Sequence, residues 1–68
     1  MNVCSIHIDR IISEKGLKKQ SVAARCGYTL QQFSAMLHGR KIITALDVAK
    51  ISEVLEVTPN DLFGITAG

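Results

Sequence analysis

The sequence predicts a small all-α domain built from five short helices. Three observations carry that prediction. The chain has one proline and no apolar–polar alternation longer than three or four residues, so nothing in it reads as a half-buried strand. Apolar residues recur instead at spacings of three and four in successive segments. Each segment opens at a serine or threonine or ends at a glycine, the residues that cap and terminate helices.

The first helix is expected to start near Ser5 as N-cap, with Cys4, Ile8, Ile11 and Ile12 on one stripe. Gly16 ends it, Lys15 complements the negative end of the helix dipole, and Leu17 then turns inward. A second, very short helix runs from about Lys19 to Cys26 with Val22, Ala23 and Cys26 facing the core, and Gly27 stops it. Thr29 caps a third helix, Leu30 to Leu37, whose apolar face is Phe33, Met36 and Leu37 and which Gly39 closes. Two short helices joined by a glycine-containing turn form a helix-turn-helix unit, here about residues 19–38. The loop Arg40-Lys41-Ile42-Ile43 leads to Thr44-Ala45-Leu46-Asp47, a capping-box start for a fourth helix that turns Val48, Ile51 and Leu55 inward. Thr58-Pro59-Asn60-Asp61 opens a one-turn fifth helix, with threonine at N-cap, proline at N1 and aspartate at N3. Leu62 and Phe63 are expected to close the core, and residues 65–68 to form a loose tail.

A chain of 68 residues is the size of one domain, spanning 1–68, which excludes a multidomain enzyme. Hydrophobic residues at 47% and charged residues at 21% describe a globular composition without a low-complexity tract. No apolar run approaches the roughly 20 residues that span a bilayer, and Met1-Asn2-Val3-Cys4-Ser5 has no secretory pattern. A cytoplasmic location without membrane contact is therefore expected. Cys4 and Cys26 fit neither a disulfide framework nor a metal site, because a zinc site wants paired cysteines or Cys/His clusters. His7 and His38 have no ligand-type neighbours at close spacing. Both cysteines read as small, reduced hydrophobes. No nucleophile has a base at a recognisable spacing, so an enzyme, a metal and a cofactor are all unexpected.

The distribution of charge says more than the net charge of +2. No acidic residue occurs between Lys15 and Leu46, while Lys15, Lys18, Lys19, Arg25, Arg40 and Lys41 all fall there. All six acidic residues lie on the flanks, against Arg10 and Lys50 alone. A basic middle between acidic ends is the footprint of a polyanion-binding surface.

The stretch Leu17-Lys18-Lys19-Gln20-Ser21-Val22-Ala23-Ala24-Arg25-Cys26-Gly27-Tyr28-Thr29 resembles the helix-turn-helix of the Cro/phage-repressor (XRE) family. That pattern reads leucine, threonine, glutamine, two variable residues, leucine, alanine, two variable residues, leucine, glycine, aliphatic, serine. The resemblance continues through Phe33-Ser34, Gly39-Arg40-Lys41, Val48, Ile51, Leu55, Val57, Thr58, Leu62 and Phe63, from about Ile8 to Gly64. It implies a five-helix, lambda-repressor-like DNA-binding domain. Ala23 would then sit where the second helix packs closely on the third, and Gly27 would take a left-handed conformation at the turn.

The same resemblance implies roles for individual residues. Leu30, Gln31, Gln32 and Ala35 fall at the base-reading positions: the glutamines suit the N6/N7 edge of adenine, and Leu30 and Ala35 suit thymine methyls. Leu30 is equally consistent with a core contact at the helix start. Lys19 takes the place of the family's phosphate-holding glutamine and Gln20 offers an amide one position along, with Thr29 and Ser34 towards the backbone. Arg40 and Lys41 fall in the basic loop that clasps the backbone. His38 is either a further phosphate donor or an exposed helix end. Lys18 replaces the usual capping threonine and leaves the second helix poorly capped. Ile12 and Leu37 stand where many members carry a half-buried arginine and glutamate, and replacing both charges together is tolerated where losing one is not. Ser52, commonly alanine, is expected to return its hydroxyl to the carbonyl four residues back.

The expected function is a sequence-specific transcriptional regulator, a repressor on a palindromic operator, with double-stranded DNA and a second copy of the chain as partners. One short recognition helix contacts about four base pairs, and two-fold pairing doubles the contacts. Ile42, Ile43, Val57, Leu62, Phe63 and Ile65 are the apolar surplus expected to serve that pairing. The alternative is a protein-interaction module on the same fold, an antitoxin or antirepressor. No small-molecule effector is expected to act within this chain.

Overall fold

Three threonines set three of the helix starts. In a computed structural model that describes residues 3–64, Thr29, Thr44 and Thr58 each adopt extended backbone and close a capping box with the residue three positions on. The backbone N–H of Thr29 donates to Gln32 Oε1 (2.9 Å), and the N–H of Gln32 donates back to Thr29 Oγ1 (3.0 Å). Asp47 closes the box with Thr44, and Asp61 with Thr58. Each box satisfies two of the orphan donors at a helix start, an arrangement in which loss of the cap residue costs about 1 kcal/mol. The resulting helices are α1 (Val3–Glu14), α2 (Lys19–Cys26), α3 (Leu30–Leu37), α4 (Ala45–Leu55) and α5 (Pro59–Phe63), with no strand among the described residues. The expected all-α architecture and the bounds of α2 and α3 hold. As expected too, Lys18 provides α2 with no side-chain cap.

The first four helices stop in the same way. At the end of α2 the N–H of Tyr28 donates to the Ala23 carbonyl (2.9 Å) and the N–H of Gly27 to the Ala24 carbonyl (3.1 Å), the Schellman pair. Equivalent pairs close α1 at Gly16–Leu17, α3 at Gly39–Arg40 and α4 at Glu56–Val57. Gly27 has φ +86°, which only glycine adopts without cost. The fourth terminator is Glu56 at φ +59°, where a side chain costs about 1–2 kcal/mol.

All five helices contribute to one core. Ile8, Val22, Phe33, Met36, Ile51, Leu55 and Leu62 are essentially inaccessible to solvent. α1 packs on α5 and α3, α2 on α3 and α4, and α4 on α5. Ala23, 1% exposed, keeps the approach of α2 to α3 close. Ile12 and Leu37 are both buried, so neither end of the family's usual ion pair leaves an unpaired charge. At the chain's far end Gly64 lies against His7 of α1: a Cβ there would stand 2.5 Å from the imidazole Nε2.

Four expectations are corrected. Ser5 does not cap α1; it is buried inside the helix, because it falls on the face that also carries Cys4, Ile8 and Ile12. Leu17 stays exposed, since the Schellman turn that fixes its backbone carries it past the last turn of α1. Phe63 is 44% exposed while its neighbour Leu62 is fully buried, so one residue rather than two closes the core from α5. Ser52 donates to the carbonyl of Ala49, three residues back, at 3.0 Å. The expected loose tail, residues 65–68, lies outside the described residues.

Candidate nucleic-acid interface

The Gly27 turn and the Thr29 box together fix where α3 begins and which face it turns outward. With Phe33, Met36 and Leu37 committed to the core, the opposite face of α3 presents Leu30, Gln31, Gln32 and, half-buried, Ser34 and Ala35. Leu30 is 48% exposed, which decides against the core-contact reading of this residue. Immediately after α3 the N–H of Arg40 donates to the Ala35 carbonyl at 2.8 Å. That bond folds the basic loop back alongside the helix. Leu30, Gln31, Ser34, Ala35 and Arg40 accordingly line one open cleft. Lys19, Gln20, Thr29, Gln32, His38 and Lys41 are exposed outside its lining.

The hydrogen bonds separate residues that the sequence treats alike. Gln32 spends its amide oxygen on the Thr29 N–H. Bidentate pairing with adenine needs both the oxygen and the nitrogen of an amide; the cap turns the Gln32 oxygen back on the helix start, so its N–H groups are the end best placed to meet a base. Gln31 makes no side-chain hydrogen bond among the described residues and keeps both. Thr29 accepts from the Gln32 N–H, which leaves its hydroxyl hydrogen for a phosphate. Lys19 is engaged as well: its Nζ stands 3.2 Å from Asp9 Oδ1, with both side chains about half exposed. Lys41 makes no ion pair within 4 Å among the described residues.

Tyr28 and Asp47, the latter expected only as a helix cap, meet across the back of this interface. The Tyr28 hydroxyl donates to Asp47 Oδ1 at 2.5 Å. The ring lies parallel to Phe33, with centroids 6.4 Å apart, and carries Lys50 Nζ 5.7 Å above its own centroid. Asp47 Oδ2 accepts the backbone N–H and the hydroxyl of Thr44, each at 2.9 Å. The Tyr28 hydrogen bond, aided by Thr44, holds the Asp47 carboxyl below the usual carboxylate range. Burial, then the hydrogen bond and charge of Asp47, push the Tyr28 hydroxyl well above an ordinary phenol. The residues are 19 apart in sequence, and no local pattern links them. A visible trace is the tyrosine standing at a position where the family pattern has an aliphatic residue.

Other chemistry is sparse. Cys4 and Cys26 are free and buried, and burial pushes both thiols up, away from the reactive thiolate. Cys26 lines a second cleft with Arg25, Lys50, Glu53 and Val54. Among the described residues no group of three or more His, Cys, Asp and Glu is placed to hold a metal ion. No helix among them is long and apolar enough to cross a membrane. Residues 7–68 match the family model of the Cro/C1-type HTH DNA-binding domain. No curated protein and no solved structure matches the chain.

Proposed function

Because the chain belongs to the Cro/C1-type helix-turn-helix DNA-binding family, a family of regulators rather than enzymes, we propose that it is a transcriptional repressor that binds a palindromic operator as a homodimer. The observation that carries this reading is the cleft of Leu30, Gln31, Ser34, Ala35 and Arg40, set within a stretch that contains no acidic residue. Gln31 reads adenine, Leu30 and Ala35 pack on thymine methyls, and Gln32 contributes its amide donor. Thr29, Ser34, Gln20, His38, Arg40 and Lys41 hold the backbone, and Lys19 joins them on leaving Asp9. One amide with both ends available on each recognition helix is few directional contacts, so DNA shape contributes a large share of specificity.

Two-fold pairing supplies the rest. Ile42, just before the Thr44 cap, is 83% exposed and Leu46, in the first turn of α4, 64%, so both present apolar surface to solvent among the described residues. Leu62 belongs to the core and Ile43 and Val57 are half-buried against it, so the surface available for pairing is narrower than the sequence implies. Ile65 lies outside the described residues. The experiment that tests the reading is a salt titration of binding to duplex DNA. Phosphate contacts make log K fall linearly with log salt, by about 0.9 per contact. Binding that ignores salt, or no binding to any duplex, would point instead to an apolar protein partner docked at Leu30.

A further inference from the structure

The loop that carries Arg40 and Lys41 is pinned at both ends. On the α3 side the Arg40 N–H is tied to the Ala35 carbonyl. On the α4 side Thr44 is tied by its N–H and its hydroxyl to Asp47 Oδ2. Asp47 is the acidic residue nearest to Lys41 in sequence, and among the described residues the two make no ion pair within 4 Å; a carboxylate free to turn towards that lysine would compete with phosphate for it. Here both oxygens are already committed, Oδ2 to Thr44 and Oδ1 to Tyr28. The tyrosine can do this because its ring is itself fixed, stacked on buried Phe33 beneath Lys50.

We propose that Tyr28 is a positioning residue for DNA binding: its hydroxyl holds the Asp47 carboxylate against the head of α4 and so keeps Lys41 available to a phosphate. Tyr28 touches no DNA in this role. It acts on the basic loop through Asp47, from the turn between the two helices of the motif. The inference rests on the DNA-binding reading above and adds to it a residue that joins the turn before α3 to the loop after it.

The test uses the full chain and a fluorescent 20-base-pair duplex of arbitrary sequence, so that phosphate contacts alone are measured. Tyr28→Phe removes one oxygen and keeps the ring on Phe33. Its binding slope against log salt should fall by about one contact, a loss of roughly eightfold in affinity at 0.1 M salt. Lys41→Ala should lower the wild-type slope equally, and should lower it no further in the Tyr28→Phe background. That non-additivity distinguishes positioning from a general loss of stability, which reduces the folded fraction without changing the slope. A Tyr28→Phe slope equal to wild type, or slopes that simply add in the double variant, would overturn the positioning role and leave the DNA-binding reading standing. Wild type that fails to bind the duplex, or binds it without a salt slope, would overturn both.

Discussion

Replacing Phe33 with alanine tests the helix arrangement on which every site assignment depends. The side chain has no solvent exposure and is the largest fully buried one among the described residues. Its removal forfeits the transfer of a phenyl ring and leaves an enclosed cavity, which together cost about 3–5 kcal/mol. The parallel stack on Tyr28 is part of that loss, at about 0.5–1.5 kcal/mol. A 68-residue domain holds about 3–10 kcal/mol in total, at roughly 0.05–0.15 kcal/mol per residue. The variant therefore keeps at most about 7 kcal/mol, and at the lower end of that range it no longer folds at room temperature. Thermal melts followed by far-ultraviolet circular dichroism should show a midpoint lower by at least about 12 °C, at roughly 4 °C or more per kcal/mol. Phe63→Ala is the internal control: that ring is 44% exposed, opens no enclosed cavity, and costs about 1 kcal/mol. Equal losses in the two variants, or a Phe33→Ala midpoint within about 3 °C of wild type, would refute the inward face assigned to α3 and with it the outward one.

The other predictions concern charge and assembly. Arg40→Ala should weaken binding to all duplexes alike and reduce the salt slope by about one; a changed sequence preference at constant slope would count against a phosphate role. Asp9→Asn frees Lys19 from its 3.2 Å partner, so it should tighten binding to an arbitrary duplex, and an unchanged affinity would mean that Lys19 does not reach phosphate. The Tyr28–Asp47 pair confers its stability in a window. The lowered Asp47 value contributes above about pH 4 and is lost as pH falls through the folded value, whereas the raised Tyr28 value contributes below about pH 10 and is lost as pH rises beyond it. Melting midpoints across pH should therefore fall less steeply at both ends in Tyr28→Phe, and superimposable profiles would contradict the coupling. Sedimentation over a concentration series should reveal a weak dimer that Leu46→Lys abolishes; a monomer throughout, with half-site binding as tight as binding to the full palindrome, would remove the two-fold model.

What the sequence disclosed was local. Thr29, Thr44 and Thr58 announce their helices because a capping box is complete within four residues, and the glycine ends of α1, α2 and α3 need no distant partner. The same locality misled at Ser5, where a good cap residue lay within an apolar stripe and the stripe prevailed. Leu17 and Phe63 are apolar in sequence, but burial depends on what lies opposite, and the five described helices cover neither. At Gln32 the spacing is visible in the sequence, because the residue three after a capping threonine closes the box and has work of its own. The Lys19–Asp9 and Tyr28–Asp47 contacts cross from one element to another, and only the packing of α1, α2 and α4 around the turn creates them.

The seam between α1 and α5 joins the two most widely separated elements of the chain. The other helix pairings, α2 with α3 and α4, α1 with α3 and α4 with α5, close shorter loops, so this seam has the largest loop-closure cost and is expected to form late in folding. Substitutions at Ile8 or Leu62, whose side chains fill the core from α1 and α5, are then expected to accelerate unfolding while leaving the refolding rate almost untouched. The helix-turn-helix unit with α4, assembled from neighbours in sequence, would be the part already present at the barrier. A domain organised in this way would acquire its helix-turn-helix first and its lifetime last.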